Sequence, residues 1–562
     1  MLVPLSAIDN AVADMGITCG YLFALPHDAV GDRSTGEALL AQLEAATKRV
    51  VAKWPLLQGQ PVWQKEQGIW AIDVPDEPLP ADRPFAFTSS RISKPYALAA
   101  SLPGPIEPLS SATSPCGFQP AHKLAFFRPA PLPTTFGGYA KTGASLLAVQ
   151  ATLFDDVVAV GITAPHGLFD ATGLGWAVRA LRAELRHEAW DAPPLSPPGA
   201  ENVLGAELDA LKREAESTDP ADVEAARHAL AGWVSASSLK NVACFLTNYA
   251  WEKLWHRDEP RHVFLSKRAV DALVASVKDE VRRETGGKEW VSTGDVLTAW
   301  ALKAVHADEA SSHTAAAVSP VFALRDILSV PSYPHNAVAP YPFSPSPLPL
   351  SDLPSTPLAS LALTHRRSLD AARTRDFLRA TLRKMERLTW SNGGQVPVMP
   401  ARAWPWRLGW AGRRSGSGGS GSGSGSGSDG DERATAPPSH HWILSNQMVS
   451  GVAELSLPAA LLDTRPHAPR DKAADDASSC SSSSGAEGDD LHAVPTGELP
   501  LLAFYLRITA PIKDHQAIRF QVNDKGLFLE GSMRRKRWEA LGRAVERLER
   551  EFGRGAGQTR EK

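Results

Sequence analysis

The stretch TAPHGLFDATGLGW, residues 163–176, decides how the chain is read. It follows VVAVGIT, residues 157–163, a β-branched run without polar alternation. That is the pattern of a strand buried on both faces. After it, Leu174, Val178, Leu181 and Leu185 recur at helical spacing. His166 therefore stands where a buried strand ends, and Asp170 where a helix begins. Such a junction holds a side chain rigidly at the edge of a cavity. A histidine there can take a proton near neutral pH and return it, as a general base must. An ionised aspartate four residues on must find donors or a cation, so its task is to brace the loop that presents the histidine. On the pattern alone, a satisfied core histidine beside an N-capping aspartate stays open as a reading.

The rest of the chain bounds the answer. At 562 residues it exceeds one hydrophobic core, and two domains of roughly 200 residues are expected. Hydrophobic residues make up 43% and charged residues 22%, as in ordinary soluble globular proteins. A net charge of -3 recommends neither nucleic acid nor an acidic membrane as partner. The four cysteines, Cys19, Cys116, Cys244 and Cys480, are far apart, so no metal site is expected and a reducing compartment is. No Lys or Arg precedes Arg33, the apolar run at 16–25 is too short to span a membrane, and the terminal REK matches no targeting tail. The expectation is a cytoplasmic monomer.

Strands and helices interleave throughout, which predicts a mixed α/β architecture. Residues 36–54 carry Leu40, Leu43, Val51 and Trp54 on one helical face, ended by Pro55. Residues 261–281 read as a strand and a helix, and 291–307 as a helix with Ser292 and Asp295 at capping-box spacing. SGSGGSGSGSGSGSDGD (415–431) and DKAADDASSCSSSSGAEGDD (471–490) are low-complexity tracts, read as insertions at about 413–438 and 466–496 in surface loops of one domain. Between them HHWILSNQMVSGVAEL is apolar enough for a core. Strands LLAFYLRI, AIRFQV and LFLEG follow, then an amphipathic helix at 533–552 with Trp538, Leu541, Val545 and Leu548 inward. Its RRKR run, 534–537, reads as a solvated face.

HGLFDATG resembles the HxxxD motif of the BAHD acyltransferases, fungal branch, within the chloramphenicol acetyltransferase-like superfamily. Other stretches are similar in order and spacing: VPLSAIDNAV near the start, LLAQLEAATKRVVAKWPLLQGQ, VSTGDVLTAWALKAV, and ALRDILSVPSYPHNAVAPYPF. The resemblance implies two similar chloramphenicol-acetyltransferase-like domains, each a mixed sheet flanked by helices, with an active-site tunnel between them. The boundaries expected are 1–200 for the first domain, 201–250 for a crossover and 251–562 for the second. It also implies a chemistry. His166 deprotonates a hydroxyl or amine of a small-molecule acceptor, which attacks the thioester of acyl-CoA, a co-substrate; no bound cofactor is expected. Asp170 is implied to pair with Arg325 in support of the base. Oxyanion donors are sought in the backbone around Gly173 and in Ser445 and Asn446 of ILSNQ.

Two features depart from the family. Its DFGWG signature is absent, and AELSLPAA, residues 453–460, stands in the expected place. Three tryptophans, Trp404, Trp406 and Trp410, cluster ahead of the Gly/Ser tract, as a lid over an apolar acceptor or as ordinary packing. Two alternatives to a CoA-dependent enzyme follow: a non-catalytic protein binding a small molecule or partner in the old tunnel, and a condensation-type enzyme taking its thioester from a carrier protein.

Overall fold

The structure, a computed structural model, describes residues 1–26, 33–77, 83–109, 115–119, 123–195, 206, 210, 233–235, 239–256, 258–309, 315–344, 347–389, 398–400, 440–462, 497–509 and 517–553. Both low-complexity insertions, the cluster of Trp404, Trp406 and Trp410, and most of the 201–250 crossover lie outside them.

Two large sheets organise the described residues. The first has five strands in the order Leu501–Thr509, Gly16–Ala24, Val157–Pro165, Ala148–Leu153, Phe87–Arg91. Val157–Pro165 lies at its centre, antiparallel to both neighbours, and all nine of its residues are buried. Its apolar run needs no alternation because both faces are covered. Helices Arg33–Lys53 and Ala171–Leu185 pack on this sheet, and Leu39, Leu43, Val50, Trp54, Leu174, Val178 and Leu181 join one core. Leu39 is fully buried, and Leu40 packs partly buried against the same core.

The second sheet runs Val338–Pro340, Ala315–Ala323, His440–Asn446, Ala517–Val522, Gly526–Met533, Glu259–Ser266, Gly117–Gln119. It is mixed: His440–Asn446 is parallel to Ala315–Ala323 and to Ala517–Val522, and the other pairs are antiparallel. Helices Lys267–Glu284, Thr293–Val305, Leu358–Ala372 and Arg535–Leu548 build the second core on one of its faces. Ser292 and Asp295 form the expected capping box, and Trp538, Leu541, Val545 and Leu548 all point inward. The molecule thus has the mixed α/β build with two sheet-centred halves that the sequence predicts.

The sheets exchange strands. Leu501–Thr509, from late in the chain, completes the first sheet, while Gly117–Gln119, from early in it, edges the second. Residues 452–462, standing where DFGWG was sought, feed Val452, Leu455, Leu457 and Leu461 into the first core. Each half is therefore closed by residues from the far end of the sequence. The RRKR run is only in part a solvated face: Arg535 and Lys536 are exposed, but its two ends are not. Arg537 is 1% exposed and pairs with Glu309 at 2.7 Å, and Arg534 pairs with the buried Glu252 at 2.6 Å.

Candidate active site

Strand Val157–Pro165 ends at Pro165, and His166 is the first residue beyond it. Its backbone is fixed from two directions. The His166 N–H donates to the Met15 carbonyl at 2.7 Å, and the Asn336 side-chain amide donates to the His166 carbonyl at 2.8 Å. The imidazole Nδ1 lies 3.0 Å from the Phe169 carbonyl. A carbonyl can only accept, so the neutral ring carries its proton on Nδ1 and leaves the Nε2 lone pair open. Burial holds the His166 pKa below its ordinary value, which favours that neutral, basic form at pH 7. The residue keeps partial exposure while its neighbours on both sides are buried.

Asp170 does not touch the imidazole in any hydrogen bond the structure gives it. It is the N-cap of helix Ala171–Leu185, with Oδ1 accepting from the Gly173 N–H at 3.0 Å. Both carboxylate oxygens receive the Arg325 guanidinium at 2.9 Å, a bidentate pair almost wholly out of water. The Ala337 N–H adds a longer bond at 3.3 Å. Arg325 gives two further N–H groups to the carbonyls of Tyr333 and His335. His166, Asp170 and Arg325 are thus brought together, with Asp170 as the joint between helix and loop.

A second carboxylate, not singled out from sequence, completes the brace. Asp9 is held by a capping box with Ser6 and accepts both the backbone and the side-chain N–H of Asn336 at 2.8 Å. Asn336 therefore ties Asp9 to the backbone of His166. His335 Nδ1 lies 3.0 Å from the Leu168 carbonyl. Asp9, Asn336 and His335 all lie in the stretches that resembled family segments, but nothing in their spacing marks them as neighbours of His166.

Gly173 sits where the two halves meet. A Cβ there would run into the Pro334 carbonyl and the Phe169 ring, so only glycine allows this approach. Its N–H is engaged by Asp170, which removes it as an oxyanion donor. Ser445 and Asn446 end a strand of the second sheet. The Ser445 hydroxyl accepts from Gln447 Nε2 at 3.1 Å and keeps its own proton to donate. The Asn446 side-chain Oδ1 accepts the Met448 N–H at 3.2 Å, which leaves its Nδ2 amide as a donor beside Gly294.

Strand register adds residues that periodicity cannot reveal. Ser445 is paired with Arg519, Arg519 with Glu530, Glu530 with His262, and His262 with Gln119. Directly paired residues share a face. The alternate residues Leu444, Ile518, Leu529 and Val263 enter the helix-side core, so this polar row looks the other way, toward the first sheet. The His262 ring lies 5.6 Å from that of Tyr505, and the Phe528 ring 5.2 Å from that of Phe504, both in the first sheet. The charge of Arg519 reaches His166 and helps depress its pKa. Among the described residues, no three His, Cys, Asp or Glu side chains are grouped as a metal site, and no helix is long and apolar enough to cross a membrane.

No protein-family model matches the chain. It is 24% identical over 311 residues to the acetyltransferase BOT5 of Botryotinia fuckeliana, covering 54% of this chain and 53% of that protein. It is 28% identical over 260 residues to the O-acyltransferase pboC of Aspergillus ustus, covering 45% and 50%. The chain thus matches about half the length of these curated relatives. Among solved structures, TRI101 of F. sporotrichioides with coenzyme A and T-2 superposes with a TM-score of 0.55 at 13% identity, over 96% of this chain and 97% of that one. TRI101 of F. graminearum with coenzyme A and deoxynivalenol also gives 0.55 at 13% identity, over 96% of each. The likeness establishes the two-domain, chloramphenicol-acetyltransferase-like fold.

Proposed function

We propose that this protein is an acyltransferase that moves an acyl group from acyl-CoA to a hydroxyl or amine of a small molecule in secondary metabolism, with His166 as general base. The observation that carries the reading is the commitment of Nδ1 to the Phe169 carbonyl, at the end of the central strand, with Nε2 open. The names of the relatives, acetyltransferase and O-acyltransferase, support it, as does a shared fold with chains that hold coenzyme A beside T-2 or deoxynivalenol.

In this mechanism Nε2 takes the proton of the acceptor as its oxygen or nitrogen attacks the thioester carbonyl. The tetrahedral oxyanion is met by the Ser445 hydroxyl or the Asn446 amide, two donors at the end of a strand of the second sheet. Collapse expels the thiolate of CoA, which takes the proton back from His166. No acyl-enzyme forms. Holding both substrates together contributes about 7–11 kcal/mol when they are well aligned, and the base roughly 10²–10⁴-fold in rate. Asp170, Arg325, Asn336 and Asp9 act at one remove, by fixing where the imidazole stands.

The test follows free thiol released from a panel of acyl-CoAs, with and without a library of alcohols and amines. His166→Ala and His166→Gln should each lose about 10²–10⁴-fold in turnover while donor affinity stays near wild type. Full activity in either variant removes His166 as the base.

A further inference from the structure

The polar row on the second sheet is not needed to present His166, and it contains atoms that the fold leaves wanting. Glu530 is 6% exposed, and its Oε2 finds no hydrogen-bond partner among the described residues. Its Oε1 lies 3.7 Å from Arg519, within ion-pair range but beyond a hydrogen bond. One strand over and two residues along the same face, Gln521 gives its amide N–H to Gln447 at 3.0 Å, while its Oε1 is likewise buried without a partner. At the far edge of the same face Gln119 Oε1 is also buried without a partner; an unsatisfied buried acceptor is costly, and the two of Glu530 and Gln521 stand side by side on neighbouring strands. Gln521 Oε1 can only accept, and the open Glu530 oxygen accepts when ionised, so a donor completes both.

The surroundings restrict the donor. Glu530 sits in the field of two guanidiniums, Arg519 and Arg507, and burial raises its pKa to about 7. An ammonium placed there would face both cations. A neutral hydroxyl would not, and either protonation state of Glu530 offers it a lone pair. The row faces the first sheet, across the His262–Tyr505 and Phe528–Phe504 ring contacts, and the central strand of that sheet is the one that ends at His166.

We infer that Glu530, with Gln521, is the acceptor-recognition site: its open carboxylate oxygen takes a hydrogen bond from a second, non-reacting hydroxyl of a neutral, polyhydroxylated acceptor while His166 takes the proton of the first. This rests on the acyltransferase reading for the reacting hydroxyl, and the binding part stands by itself. A carboxylate that gains a hydroxyl partner in a dry site discriminates against the ligand lacking it by about ten- to a hundredfold.

The probes are decalin diols of varied spacing, each paired with the decalol lacking one hydroxyl. Binding is measured by titration calorimetry with coenzyme A present, and thiol release from acetyl-CoA is followed in parallel. Wild type should bind at least one diol tenfold or more tighter than its mono-ol. Glu530→Leu should bring that ratio to about one with mono-ol binding retained, and Glu530→Gln, which keeps an acceptor, should preserve most of it. If Glu530→Leu alone does not fold, Arg519→Met with Glu530→Leu removes the pair as a unit and leaves no lone buried charge. A preference that survives either leucine variant overturns the assignment, as does a wild type indifferent to the second hydroxyl throughout the panel. A Glu530-dependent preference with no thiol release from any acceptor supports this site and removes the acyl-transfer reading instead.

Discussion

Asp170→Asn is nearly isosteric, yet the site has no orientation that accepts it. Oδ1 receives Gly173 N–H and Arg325 Nη2, and Oδ2 receives Arg325 Nη1 and Ala337 N–H. Whichever way the amide turns, its NH₂ meets two donors. The side chain thus loses its charge, half of its accepting capacity and one arm of the bidentate pair. Arg325 keeps the carbonyls of Tyr333 and His335, so its charge is solvated in part. Removing one partner of a buried ion pair costs about 3–5 kcal/mol, and these two carbonyls place the expected loss near the lower end.

The same change should lower turnover, because the helix start and the His166 loop share this joint. A displacement of 1 Å costs on the order of a hundredfold. The assay measures thermal unfolding, kcat, KM for acyl-CoA and the pH profile of kcat for Asp170→Asn, Arg325→Met and the double variant. Stability and kcat should fall together in each single variant. The double variant should recover part of the stability, since no lone charge remains. Strictly additive single effects would refute the pairing as the source of the loss. So would a kcat deficit with wild-type stability and a displaced pH profile, which would make Asp170 a proton-sharing partner of His166 rather than its support.

Gly173→Ala should destabilise the protein by about 1–3 kcal/mol, the usual cost of overpacking, because its methyl meets the Pro334 carbonyl; thermal unfolding checks it. In kcat/KM against pH, the acid limb should fall below 6.5, because burial lowers the His166 pKa and the base form persists to lower pH. Acid stability follows from the same sign. Burial lowers His166, His335 and His440, and His306 to about 4, so the unfolded chain binds more protons below pH 6.5. Their contribution is complete above about 6.5 and is lost as pH falls toward 4; Glu530 and Asp9, both raised by burial, oppose it in smaller number. Unfolding midpoints at pH 7, 6 and 5 should therefore decline in that order. Asn336→Leu should lower kcat more than it raises KM for acyl-CoA, since it frees the His166 carbonyl.

What could be read from the sequence was local. The apolar run at 157–163 needs two covered faces, and a histidine directly after it has little freedom, so the junction is legible from one window of 14 residues. The box at Ser292 and Asp295 is legible for the same reason, because a helix N-terminus solves its hydrogen bonding within four residues. Arg325 came from a resemblance, since nothing in ALRDIL itself distinguishes a buried guanidinium from a surface one. The Glu530 row was illegible. Its members lie at positions 119, 262, 445, 519 and 530, and only the register of five strands makes them neighbours. In AIRFQV and LFLEG, Arg519 and Glu530 look like the exposed positions of half-buried strands. The pattern separates them correctly from the helix-side core but cannot say that the opposite face is covered too.

That covered face explains why so much of the site is held from a distance. The His166 backbone is gripped by Met15 from one side and Asn336 from the other, and Asn336 is gripped in turn by Asp9. The helix that follows is anchored through Asp170 to Arg325. Residues 9 and 15 belong to the first part of the chain, and 325 and 336 to elements of the second sheet's surroundings. Both halves thus contribute to holding the imidazole's backbone. If the halves separate, the His166 carbonyl loses its amide and Asp170 loses its cation at once, each in a dry environment where an unmet group is expensive. The proposed base is therefore braced from both halves at once, through Met15 on one side and Asn336 on the other.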